Sequence, residues 1–107
     1  MRLERVRPAP VESRLVAALI LAGRAAGVEP AVAAHRSRPW ASATFVGAQH
    51  TVTLVAPRSP GLGSWVAALP DTDLPVRGHV VASVAVERIE DDGAAVTLTV
   101  EVLTLEE

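Results

Sequence analysis

Residues 79–105 read HVVASVAVERIEDDGAAVTLTVEVLTL, and their alternation decides the fold. Apolar side chains recur at every second position from Val80 to Val86 and again from Val96 to Val102, the period of a half-buried strand. Between the runs stands Asp91-Asp92-Gly93, a hairpin signal. A two-residue turn at Asp92-Gly93 would set Glu87 opposite Leu98 and mix the faces. A three-residue loop with Gly93 in the left-handed conformation gathers Val80, Ala82, Val84 and Val86 on one face with Val96, Leu98, Val100 and Val102, and that register is expected. The other face carries Ser83, Glu87, Thr97, Thr99 and Glu101, as water requires, but Val81, Leu103 and Leu105 form an apolar cluster at one end.

Upstream, Ser59-Pro60 marks a helix start, and Leu69-Pro70 limits that helix to a few turns with Trp65, Val66 and Leu69 as its buried stripe. Before it, Trp40–Val46 and Gln49–Ala56 read as a hairpin around Gly47-Ala48, which sets Phe45 opposite His50. Ala31–Arg36 is extended, and Pro39 marks a bulge or an edge because proline cannot donate to a ladder. The first helix carries Val11, Leu15, Ala18, Leu19, Ala22 and Ala26 at helical spacing, with Pro10 at its first position and Gly27 as its stop. From Leu15 to Ala22 it is apolar nearly all round, so two of its faces need cover.

The order is therefore α-β-β-α-β-β. The expected architecture is α+β: a four-stranded, mainly antiparallel sheet with two helices packed on one face. Residues 1–107 form a single domain, with residues 1–9 an N-terminal segment that is either flexible or docked on the sheet. The tetrapeptide Val16-Ala17-Ala18-Leu19 recurs as Val66-Ala67-Ala68-Leu69 fifty residues later. In a chain with 19 Ala and 17 Val, chance explains such a match, and no repeat is inferred from it.

Composition bounds the function. The 107 residues contain no cysteine, which excludes disulfides, thiolate metal sites and cysteine catalysis. No apolar run is long enough to span a bilayer and no secretory signal opens the chain, so a cytoplasmic protein is expected. All ten basic residues are Arg, as a GC-rich bacterial coding bias produces. Residues 1–38 hold seven Arg against three acids, and residues 70–107 hold two Arg against nine. The net charge of −2 and the scarcity of aromatic platforms disfavour nucleic acid as a partner. A core built mainly of Ala and Val buries little area per side chain, which favours a homodimer.

The most unusual segment is His35-Arg36-Ser37-Arg38-Pro39-Trp40. Arg36 and Arg38 point the same way on a regular strand and suit one carboxylate or phosphate, with Trp40 stacking on an apolar part of the ligand. His50, on an apolar face, joins them as a ligand-binding residue and is the candidate general acid or base. His35, His50 and His79 lack metal-ligand spacing, so neither a metal nor another cofactor is expected. Gly61-Leu62-Gly63 lacks the remainder of a phosphate loop, and no nucleophile motif is present. Val81, Leu103 and Leu105 form the candidate interface, which the acidic Glu106-Glu107 could extend toward Arg2, Arg5 or Arg7. The leading expectation is a homodimeric binding or scaffold module with an anion-binding surface. The alternative is a small enzyme in which a His acts as general acid or base while an Arg anchors an anionic substrate.

Overall fold

The computed structural model describes residues 10–107. The expected architecture is present: helix α1 (Val11–Ala25), strands β1 (Ala31–Ala41) and β2 (Val46–Pro57), helix α2 (Leu62–Ala68) with a 3₁₀ turn at Leu69–Asp71, and strands β3 (His79–Asp91) and β4 (Ala95–Glu106). All neighbouring strands are antiparallel, in the order β1-β2-β4-β3. Both helices cover one face. Leu15, Ala18 and Leu19 of α1 and Leu62 and Trp65 of α2 are buried with Val52, Leu54 and Ala56 of β2 and Val96, Leu98, Val100 and Val102 of β4. The opposite, open face carries no helix among the described residues. No helix among the described residues is long and apolar enough to cross a membrane.

The first hairpin differs from the expectation. Its turn lies at residues 42–45, not at Gly47-Ala48, and His50 stands opposite Ser37 rather than Phe45. Ser42 explains the choice: its hydroxyl accepts the Thr44 and Phe45 N–H groups at 3.3 and 3.1 Å, and its own N–H donates to the Phe45 carbonyl at 2.8 Å. A side chain that replaces backbone partners in this way closes a turn as effectively as a glycine. Gly47 lies instead within β2 opposite Leu105. There a Cβ would come within 1.9 Å of the Thr104 carbonyl oxygen, so the glycine is demanded by close approach of two strands.

The second hairpin keeps Gly93 left-handed, but its loop lies at residues 92–94 rather than 91–93, and its register shifts. Gly93 has φ +92°, and Asp92 accepts the Ala94 and Ala95 N–H groups at 2.9 and 2.8 Å. Asp91 pairs with Val96, and the ladder slips between Val81 and Ser83 and again between Val86 and Arg88. Each slip is a β-bulge, which inserts one residue and turns the later residues of the strand to the other face. Val84 and Val86 face the core as expected, whereas Val80 pairs with Leu105 on the open face and Ala82 is the inserted residue. Helix α2 also begins later than Ser59-Pro60 suggests, with Gly61 at its cap and no capping side chain.

The fifty-residue spacing has a structural counterpart. The order α1-β1-β2 recurs as α2-β3-β4, and Leu19 and Leu69, the last residues of the two matching tetrapeptides, are both fully buried. Thr51 of β2 pairs with Glu101 of β4, its own counterpart fifty residues on. The strand order β1-β2-β4-β3 is accordingly symmetric in topology about the two central strands.

Candidate functional site

Pairing fixes what the open face displays, because opposed residues of an antiparallel ladder project to the same side. One row across the strands is Trp40, Gly47, Leu105 and Val80. The next is Arg38, Gln49, Leu103 and Ser83, and beyond it stand Arg36, Thr51, Glu101 and Ala85. The face thus passes from an apolar end into a charged centre.

Arg36, Arg38, Gln49, Thr51 and Glu101 line a hollow of about 360 Å³ at that centre. Glu101 accepts hydrogen bonds from the Thr51 hydroxyl at 2.7 Å and the Gln49 amide at 3.0 Å. These two donors, the hydroxyl first, hold its carboxyl below the usual range against the opposing effect of burial, and Arg38 and Arg36 add to the lowering. Each carboxylate oxygen accepts one of these bonds. Arg36 and Arg38, on the exposed edge strand β1, have no carboxylate within 4.0 Å among the described residues. Trp40 continues the same face two residues on, half-buried beside Gly47.

His50 lies on the other side of the sheet, 0% exposed under the helix layer. Its Nε2 is 2.9 Å from Thr104 Oγ1, and its Nδ1 is 3.1 Å from His35 Nε2. Thr104 donates its hydroxyl to the Ala48 carbonyl at 3.4 Å, which leaves it to accept the His50 Nε2–H. His50 Nδ1 is then the acceptor for His35 Nε2–H, so the network assigns both tautomers. Burial first, and the neighbouring His35 second, lower the His50 pKa from its ordinary 6.5, with Glu12 opposing and His79 adding slightly. Glu12 of α1 lies nearby and accepts the Ser37 hydroxyl at 3.2 Å. This network suits a neutral, fixed imidazole.

The structure therefore brings Arg36, Arg38 and Trp40 together on one face and separates His50 from them by the thickness of the sheet. Alternation along the strand is the reason: His50 opposes Ser37, while Arg36 and Arg38 oppose Thr51 and Gln49. The hollow lined by the arginines does not include His50. The expected cluster of Val81, Leu103 and Leu105 is divided as well. The bulge at Ala82 places Val81 opposite Thr104, toward the helices, while Leu103 and Leu105 stay on the open face with Val80 as their neighbour. The expected meeting of Glu106-Glu107 with Arg2, Arg5 or Arg7, and the docking of residues 1–9, fall outside the described residues.

Gln49, Thr51 and Glu101 were not singled out from the sequence as site residues. Their signal is parity, since polar side chains at alternate positions of a central strand mark the face that carries the arginines. His35 and Thr104 as partners of His50 left no such signal, because both contacts cross between strands. Among the described residues no group of three or more His, Asp or Glu side chains could hold a metal ion. No family model matches the chain, and no curated protein and no solved structure matches it either.

Proposed function

We propose that this protein is a binding module that takes an anionic group on the open face of its sheet, between Arg36 and Arg38. One observation carries the reading: two guanidinium groups from alternate positions of β1 share a polar hollow with Glu101, yet neither has a carboxylate within 4.0 Å among the described residues. Planar guanidinium forks match carboxylate and phosphate oxygens, and the Gln49 and Thr51 donors beside them are directed to Glu101. Trp40 gives the same face a flat apolar platform for a ligand with an aromatic or aliphatic part. A bacterial, cytoplasmic setting, argued from composition, belongs to the same proposal.

An enzyme using His50 with an arginine anchor is the weaker reading, because its two parts face opposite sides of the sheet. The test is a titration with inorganic phosphate and then phenyl phosphate, monitored by backbone amide shifts and by the Trp40 indole N–H resonance. Binding should perturb the amides of β1 and β2 around residues 36–38 and 49–51, and Arg36→Gln with Arg38→Gln should weaken it at least tenfold. Affinity unchanged in that double variant would overturn the proposal.

A further inference from the structure

Helix α1 has no polar side chain between Leu15 and Gly23. Leu15, Ala18 and Leu19 use one side of it on the core. On the other side Ala17 is exposed and Leu21 projects at 64% exposure, with nothing in the described chain covering it. Beside Leu21 runs a hollow of about 430 Å³, walled by Ala17, Ala18 and Ala22 of the helix and by Pro75 of the loop before β3. The Arg14 guanidinium donates to the Arg77 carbonyl and holds the start of the helix against that loop.

A projecting leucine next to a hollow floored by alanines is self-complementary, and a two-fold contact requires such a patch. The rim is complementary in charge too. Arg14, Arg77 and Asp73 all line the hollow, yet none has an ion-pair partner among the described residues. A two-fold axis beside α1 can set Asp73 of each copy against Arg14 and Arg77 of the other.

We infer that α1 and the Asp73–Arg77 loop form an isologous interface with a second copy of this chain, Leu21 of each copy seated in the hollow of the other. The anion-binding face lies on the opposite side of the slab and stays open in this dimer, so the inference does not rest on that reading. It replaces the sheet end around Leu103 as the place of contact.

Solution mass by light scattering on wild type, Leu21→Glu, Asp73→Arg and Leu103→Glu tests it, with circular dichroism melts as the folding control. The expected result is a wild-type dimer of the 11.2 kDa chain, split by Leu21→Glu and by Asp73→Arg and unaffected by Leu103→Glu. Should Leu21→Glu fail to fold, the exposed loop variant Asp73→Arg carries the test, and adding Arg77→Asp to it should restore the dimer. A wild-type monomer overturns the inference, as does a dimer that survives both α1-side variants or is split by Leu103→Glu. A chain that dimerises only after removal of residues 1–9 would show that this segment occupies the hollow, and it also overturns the inference.

Discussion

His35 and His50 are joined ring to ring, Nε2 to Nδ1, at 3.1 Å, from strands β1 and β2 and on the face that the helices cover. Burial first, and this contact second, disfavour a proton on His50, whose one N–H is donated to Thr104 beneath a largely apolar core.

Stability should therefore fall on mild acidification. The folded chain binds a proton at His50 less readily than the unfolded chain, so the contribution is complete above pH 6.5 and is lost as the pH drops toward the depressed folded value. Melting temperature should decrease as the pH falls below 6.5, and ring resonances of His50 should titrate below 6.5. A ring titrating at or above its ordinary value would contradict the assignment. Glu12 and Glu101, both lowered, add a separate loss only below their ordinary 4.5.

Thr104→Val keeps the shape of the side chain and removes the acceptor for His50 Nε2–H. A buried donor left without a partner costs about 1–3 kcal/mol. Urea unfolding at neutral pH should show a loss of that size with an unchanged m-value, whereas a neutral result would mean that His50 has another acceptor.

Gly47→Ala should destabilise by roughly 1–3 kcal/mol, the cost of forcing extra atoms into a packed place. The obstacle is the Thr104 carbonyl, which is backbone, so β2 and β4 must separate locally. Gly63→Ala, which meets nothing within 4 Å, is the control and should cost nothing comparable. Equal stability of the two variants would refute the close approach.

Glu101→Gln should tighten anion binding at Arg36 and Arg38 by a few fold, because it removes the negative charge from the middle of the hollow. Its stability cost should be about 1 kcal/mol, from weakened bonds to Thr51 and Gln49. Isothermal titration with inorganic phosphate on wild type and variant gives the comparison. Weaker binding in the variant would mean that Glu101 positions the arginines rather than opposing the ligand.

Leu54 and Leu98 are both fully buried in the sheet layer of the core. Truncating either to Ala should cost roughly 2–5 kcal/mol, a large fraction of the stability of so small a domain. Chemical denaturation measures it, and a loss under about 1 kcal/mol would mean that the core is looser than its packing implies.

The sequence by itself determined the elements and their order, because period two in residues 79–105 and period 3.6 in residues 11–26 are local properties of the chain. It also determined that Arg36, Arg38 and Trp40 share a side, since alternation along one strand needs no partner. The turn at Ser42, the bulges at Ala82 and Glu87, and the placing of β2 beside β4 were decided only in the tertiary structure. Register between strands depends on which side chain satisfies which backbone group, and on how closely two backbones can approach. Ser42 settles the first for the β1–β2 hairpin and Gly47 the second for the β2–β4 pair, and neither effect has a periodic signature. The meetings of His35 with His50, and of Thr51 and Gln49 with Glu101, depend on that register, and a slip of one residue would have put each pair on opposite faces.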